Sequence, residues 1–144
     1  MRIAVIHGTN LRLLGSREPE VYGTDTLDDV NRCLGEVATE LGVELETFQS
    51  NHVGEILDFI EGAAARVDGF IINPGALTHT SIALLDGFLG VERPFVEVHL
   101  SNTQGRESYR RHSYLAGSAS GVVLGFGAHS YLLGLRGLVA RLGG

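Results

Sequence analysis

Short runs of β-branched and apolar residues alternate along this chain with longer segments in which apolar residues return every third or fourth position. The short runs predict strands over Ile3–Ile6, Val43–Phe48, Gly69–Asn73, Pro94–Val98 and Gly121–Leu124. They are mostly apolar on successive residues, the pattern of strands covered on both faces. The longer segments predict helices. Leu27, Val30, Leu34, Val37 and Leu41 form one apolar stripe, and Ile56, Ile60, Ala63 and Val67 a second. Ile82, Leu85 and Leu89 mark a third helix, and Tyr131, Leu135, Leu138 and Leu142 the last. Thr26, and Ser50 or Asn51, stand where N-caps belong, because their side-chain oxygens can accept from the free amides of a first helical turn.

Alternating strands and helices imply βαβ units and a parallel sheet. With five strands in 144 residues, the economical solution is an α/β, flavodoxin-like three-layer sandwich. Its parallel sheet has order 2-1-3-4-5, with helices on both faces. Residues 1–144 read as a single domain. Ligands of such sheets bind beyond the carboxyl ends of the strands, at the switch between the first and third.

Polar residues collect at those ends. Strand one runs into His7-Gly8-Thr9-Asn10 and strand two into Gln49-Ser50-Asn51-His52. Strand three runs into Asn73-Pro74-Gly75-Ala76-Leu77-Thr78-His79, and strand four into Glu97-Val98-His99-Leu100-Ser101-Asn102. Turn chemistry explains any one of these residues, but not the convergence of Asn73, His79, Glu97, His99 and Ser101 on one cleft. Glu97, His99 and Ser101 are spaced by two, so a carboxylate can orient an imidazole on one side of an extended segment. The loop from Asn10 to Thr24, about fifteen residues, exceeds the usual βα connection and reads as a lid. It carries Leu11, Leu13 and Leu14 as packing anchors, together with Arg17 and Tyr22. A phenol serves as a base only if its anion is stabilised, and a neighbouring guanidinium does that. The stretch Gly105–His112 is the densest in arginine, and one of its guanidinium groups could hold a carboxylate or a polyhydroxylated ligand.

Composition removes several alternatives. The basic residues are eleven Arg and no Lys, against 17 acidic residues, for a net charge of −6. A lysine imine is therefore impossible, as is a lysine-bearing P-loop. The negative charge and the lack of a basic stripe argue against nucleic acid, and no apolar run is long enough for a membrane span. The single Cys33, inside a helical stripe, reads as a small core residue in a reducing, cytoplasmic compartment. His52, His79 and His99 come from separate loops with no metal-ligand spacing, so no metal is expected.

Taken in order, Asn10–Gly15, Arg17–Gly23, Gln49–His52, Asn73–Ala76, Thr78–Ser81, Glu97–Asn102 and Arg110–Tyr114 resemble the type II 3-dehydroquinate dehydratases over nearly the whole chain. The resemblance implies a cofactor-free lyase that converts 3-dehydroquinate into 3-dehydroshikimate, assembled as a dodecamer of four trimers. By resemblance Tyr22 is the base, Arg17 stabilises its anion, His99 is the acid with Glu97 beside it, and Asn10 positions a water. Asn73, Gly75, His79, Leu100, Ser101 and Arg110 match substrate contacts, and Asp86 matches a residue near the substrate site, across a subunit boundary. The chain departs from the family pattern at His7 and Thr9, at Thr103-Gln104-Gly105 and at His129-Ser130. Those departures leave open a paralogue acting on an amino analogue of the substrate. A flavin or nucleotide module lacks its phosphate-cradling turn here. A phosphorelay receiver needs acidic residues where this chain has His7 and Asn73.

Overall fold

A computed structural model describes residues 1–143. Five parallel strands, β1 (Arg2–His7), β2 (Glu44–Gln49), β3 (Gly69–Asn73), β4 (Phe95–His99) and β5 (Gly121–Leu124), form one sheet of order β2-β1-β3-β4-β5. The order is the expected one. Around the sheet run α1 (Pro19–Tyr22), α2 (Leu27–Leu41), α3 (Val53–Ala63), α4 (Leu77–Thr80), α5 (Ile82–Val91) and α6 (His129–Gly143).

Side chains of a strand point alternately to its two faces, and β1 supplies both cores this way. Ile3 and Val5 pack with Val30 and Leu34 of α2 and with Leu135 and Leu138 of α6. Ala4 and Ile6 pack with Ile56 and Ile60 of α3 and with Leu84 and Phe88 of α5. All these side chains are essentially buried, so the sheet is covered on both sides as its unbroken apolar runs require. Thr26 caps α2 in a capping box, accepting from the Asp29 amide while the Asp29 carboxylate accepts from the Thr26 amide. Helix α3 differs from expectation. Its N-cap is His52, because the Ser50 hydroxyl accepts from the His52 amide and donates to Glu55, which holds it one turn early. Cys33 is only half-buried rather than a core residue, since it lies at the margin of the α2 stripe.

Two glycines bring the strand-end loops together at the switch point. A Cβ on Gly8 would lie 2.5 Å from the Pro74 carbonyl oxygen, and one on Gly75 would lie 2.7 Å from the Thr9 hydroxyl. Gly75 also has φ +61°, a left-handed conformation that suits glycine. The loop after β1 therefore lies directly on the loop after β3.

His7 ends β1 fully buried, paired in register with Gln49 on one side and Asn73 on the other. Burial lowers its pKa to about 4, against a partly compensating hydrogen bond to Asn31. A folded value below the unfolded 6.5 means that the unfolded chain takes up the proton first. Stability is therefore full above about 6.5 and falls as pH drops toward 4, by about 3 kcal/mol from this group. Urea midpoints measured across that window should show the slope, and His7→Asn should flatten it. An unchanged slope in the variant would assign the acid sensitivity to other groups.

Candidate active site

A cavity of about 250 Å³ opens at the carboxyl ends of β1, β3 and β4. It can hold one substituted six-membered ring and is too small for a dinucleotide. Its walls include Asn10, Arg17, Tyr22, Asn73, Gly75, His79, His99, Leu100, Ser101 and Arg110, all expected from the sequence. Glu97 stands behind His99 rather than on the wall. Asp86 lies outside the cavity, exposed on α5.

The loop after β1 is more ordered than its length suggests. Leu11–Leu13 make a 3-10 turn, and Pro19–Tyr22 form the short helix α1, with Glu18 in a left-handed conformation just before it. Leu11 and Leu14 anchor the loop in the core, whereas Leu13 is exposed and does not. Asn10 is also left-handed, at φ 67°, and its amide donates to the Asn51 side-chain oxygen at 3.0 Å. Gln49 donates to the same oxygen and to the Gly8 carbonyl, and it accepts from Arg12, so the start of the loop is tied to the end of β2.

Tyr22 comes to the cavity from this loop with two arginines on it. The Arg17 guanidinium carbon lies 4.9 Å from the ring centre, over its face. The hydroxyl oxygen instead receives Nη1 of Arg106 at 3.0 Å, which also reaches the Ser101 hydroxyl at 3.4 Å. Arg106 thus links the Tyr22 loop to the segment after β4. Sequence reasoning missed it: in a run with Arg110 and Arg111 nothing marks which guanidinium turns inward. Two 3-10 turns, Thr103–Gly105 and Ser108–Arg110, decide that. Although burial opposes it, the hydrogen bond to Tyr22 and the nearby acidic groups raise the Arg106 pKa, so it stays charged.

His99 is held from behind. Its Nε2 lies 2.5 Å from Oε2 of Glu97, which leaves Nδ1 as the remaining ring nitrogen. Glu97 is itself buried and accepts from the Thr78 hydroxyl at 2.7 Å and from the Ser113 hydroxyl at 2.8 Å. Burial alone would raise its pKa. The His99, Thr78 and Ser113 hydrogen bonds outweigh that and hold the carboxyl below its ordinary value. Backbone amides of Leu115 and Ala116 fix the Ser113 oxygen in turn. Thr78 and Ser113 were not anticipated, since they lie 35 residues apart and meet only through the fold.

His79 Nδ1 lies 2.6 Å from the His112 carbonyl, which can only accept, so Nδ1 carries the proton and Nε2 is an acceptor. Arg110 completes the wall from the second 3-10 turn, near Glu107. Thr9 and Thr103 also line the cavity, and the Thr9 hydroxyl is buried without a hydrogen-bond partner. Among the described residues no group of three or more His, Cys, Asp or Glu could hold a metal ion.

A phenol under two guanidinium groups and an imidazole backed by a carboxylate, on separate elements around one small cleft, define an acid–base enzyme of the doubly wound α/β class. The model of the class II dehydroquinases matches residues 1–139, and the chain belongs to that family. It is 54% identical over 138 residues to a 3-dehydroquinate dehydratase of Geotalea daltonii, covering 96% of each chain. It is 56% identical over 141 residues to another from Polynucleobacter asymbioticus, covering 97% of this chain and 95% of that one. The crystal structure of the type II dehydroquinase from Butyrivibrio crossotus superposes with a TM-score of 0.92 at 36% identity, over 100% of this chain and 98% of that one.

Proposed function

We propose that this chain, acting as one catalytic domain, dehydrates 3-dehydroquinate to 3-dehydroshikimate in aromatic biosynthesis, with Tyr22 as base and His99 as acid. The observation that carries the reading is the pair of supports on one cavity: Arg106 on the Tyr22 oxygen and Glu97 on the His99 ring. The relatives named above for this reaction support the substrate.

The phenolate of Tyr22 takes a proton from C2, beside the ketone, and the C–H electron pair moves onto the carbonyl as an enolate. Arg106 and Arg17 stabilise the phenolate that makes this possible. The pair then returns to form the C1–C2 double bond as the C1–O bond breaks, an anti elimination. His99, as imidazolium, gives the Nδ1 proton to the departing hydroxyl, which leaves as water. An ionised Glu97 favours that protonated ring. Solvent returns the proton from Tyr22 to His99, so one water is lost and the enzyme is unchanged. Asn10 holds a water toward the enolate oxygen. The amides of Leu100 and Ser101 meet the substrate carboxylate, while Asn73, His79 and Arg110 take its hydroxyls beside the Gly75 backbone. Closure of the Asn10–Thr24 loop excludes bulk water.

Trimers in a dodecamer would bring Asp86 to a neighbouring cavity. Ile82 and Leu89, each 53% exposed, flank it on one face of α5 at four- and three-residue spacing, as a packed subunit contact requires. Light scattering reads this directly, and a monomer would refute it. No described helix is long and apolar enough to cross a membrane, and the single cysteine accords with a cytoplasmic location.

Incubation with 3-dehydroquinate should yield a product that co-elutes with authentic 3-dehydroshikimate. Unchanged substrate at high enzyme concentration would overturn the assignment. Arg106→Gln should lower kcat about ten- to hundredfold, the scale of one charge-assisted hydrogen bond, with KM changed less. Arg106→Lys should recover part of the loss. A variant at wild-type rate would leave Arg17 as the only guanidinium acting on Tyr22.

A further inference from the structure

Gln49 and Asn51, at the end of β2, take no part in the proposed reaction, yet both are bonded to the start of the loop that carries Tyr22. The Gln49 carboxamide has one orientation. Its Oε1 accepts from Arg12 Nε, so Nε2 is the atom that meets the Gly8 carbonyl at 3.1 Å, and that carbonyl can only accept. The second N–H of Nε2 goes to Oδ1 of Asn51 at 3.2 Å. The same oxygen takes the Asn10 amide at 3.0 Å, which fills both of its lone pairs. Asn51 is thereby turned with its oxygen toward Asn10.

Asn10 has a backbone that needs such a hold. It is left-handed, at φ 67° and ψ 6°, a conformation that residues with a Cβ rarely adopt. Its carbonyl accepts from the Leu13 amide at 3.0 Å and opens the 3-10 turn. Both backbone polar groups are then used, and the side chain, which caps nothing, belongs to the cavity wall. The strand end behind the clamp is itself firm. Ser50, between the two carboxamides, is buried, its amide donates to the His7 carbonyl at 3.1 Å, and its hydroxyl accepts from the His52 amide at 2.9 Å.

We propose that Gln49 and Asn51 are positioning residues: they hold the Asn10 backbone left-handed, so that its carboxamide stays on the cavity wall and orders the water that meets the enolate oxygen. The inference rests on the proposed reaction for the role of that water. The clamp itself stands on the four hydrogen bonds among Arg12, Gln49, Gly8, Asn51 and Asn10.

The test separates the direction of these bonds from mere packing. Asn51→Leu keeps the shape and removes the acceptor; it should lower kcat on 3-dehydroquinate about tenfold, one neutral hydrogen bond's worth, with KM within about twofold. Asn51→Asp keeps the acceptor and should recover most of kcat. Gln49→Glu keeps the contact with Arg12 but sets an acceptor where the Gly8 carbonyl and Asn51 Oδ1 require a donor, so it should fall as far as Asn51→Leu. In an Asn10→Ala background Asn51→Leu should cost nothing further. Wild-type kcat in Gln49→Glu, additive losses with Asn10→Ala, or a change in KM alone would overturn the proposal. Independently of activity, deuterium exchange at the Asn10 amide should be about tenfold faster in Asn51→Leu than in the wild type or Asn51→Asp. Equal exchange in all three would refute the clamp even if turnover is normal. If instead the wild type does not turn over the substrate while exchange follows the stated order, the reaction assignment fails and the clamp on Asn10 stands.

Discussion

Tyr22→Phe, which removes one oxygen and keeps the ring, is expected to lower kcat by roughly 10²–10⁴-fold, the range a positioned base contributes. The ring rests partly on the core that Leu11 and Leu14 enter, so packing and thermal midpoint should barely change. The hydroxyl itself touches only Arg106. An effect confined to kcat, with intact circular dichroism, would tie the loss to proton removal. Turnover near the wild-type rate would place the base elsewhere in the cavity, and His79 would be the next candidate because its Nε2 is an acceptor.

His99→Ala should cost a comparable factor by removing the acid. Glu97→Gln is the more informative companion. Glutamine preserves the shape but offers one acceptor oxygen and an amide, where Thr78, Ser113 and His99 all present hydrogens to a carboxylate. It also removes the negative charge that favours imidazolium. The expected order of kcat is wild type, then Glu97→Gln, then His99→Ala, with Glu97→Gln retaining most of the substrate affinity. If Glu97→Gln matched the wild type at every pH, Glu97 would be a structural anchor for Ser113 alone.

What could be read in the sequence follows from the reach of each signal. Successive apolar residues in β1, β3 and β4 meet two cores, so periodicity sufficed, and β3 and β5 have the expected limits. β2 lies one residue later than expected, because an edge strand is half-exposed and its burial pattern is blurred. α1 was invisible, since four residues beginning at a proline carry no helical period. Glu97 and His99 were legible as neighbours two apart on one strand. Arg106, Thr78 and Ser113 were not: their roles are set by turns and by loops that meet in space. Tyr22 and Arg17 were found together, but the atom that meets the Tyr22 oxygen belongs to Arg106, 84 residues away.

On this mechanism side chains alone, a phenolate and an imidazolium, remove water from a cyclic hydroxyketone. The most direct measurement is the ultraviolet progress curve of enzyme dialysed against EDTA and desalted, mixed with 3-dehydroquinate and nothing else. A steady rise in conjugated-enone absorbance at the undialysed rate is expected. A flat trace that recovers only when a divalent cation or a coenzyme is returned would contradict it.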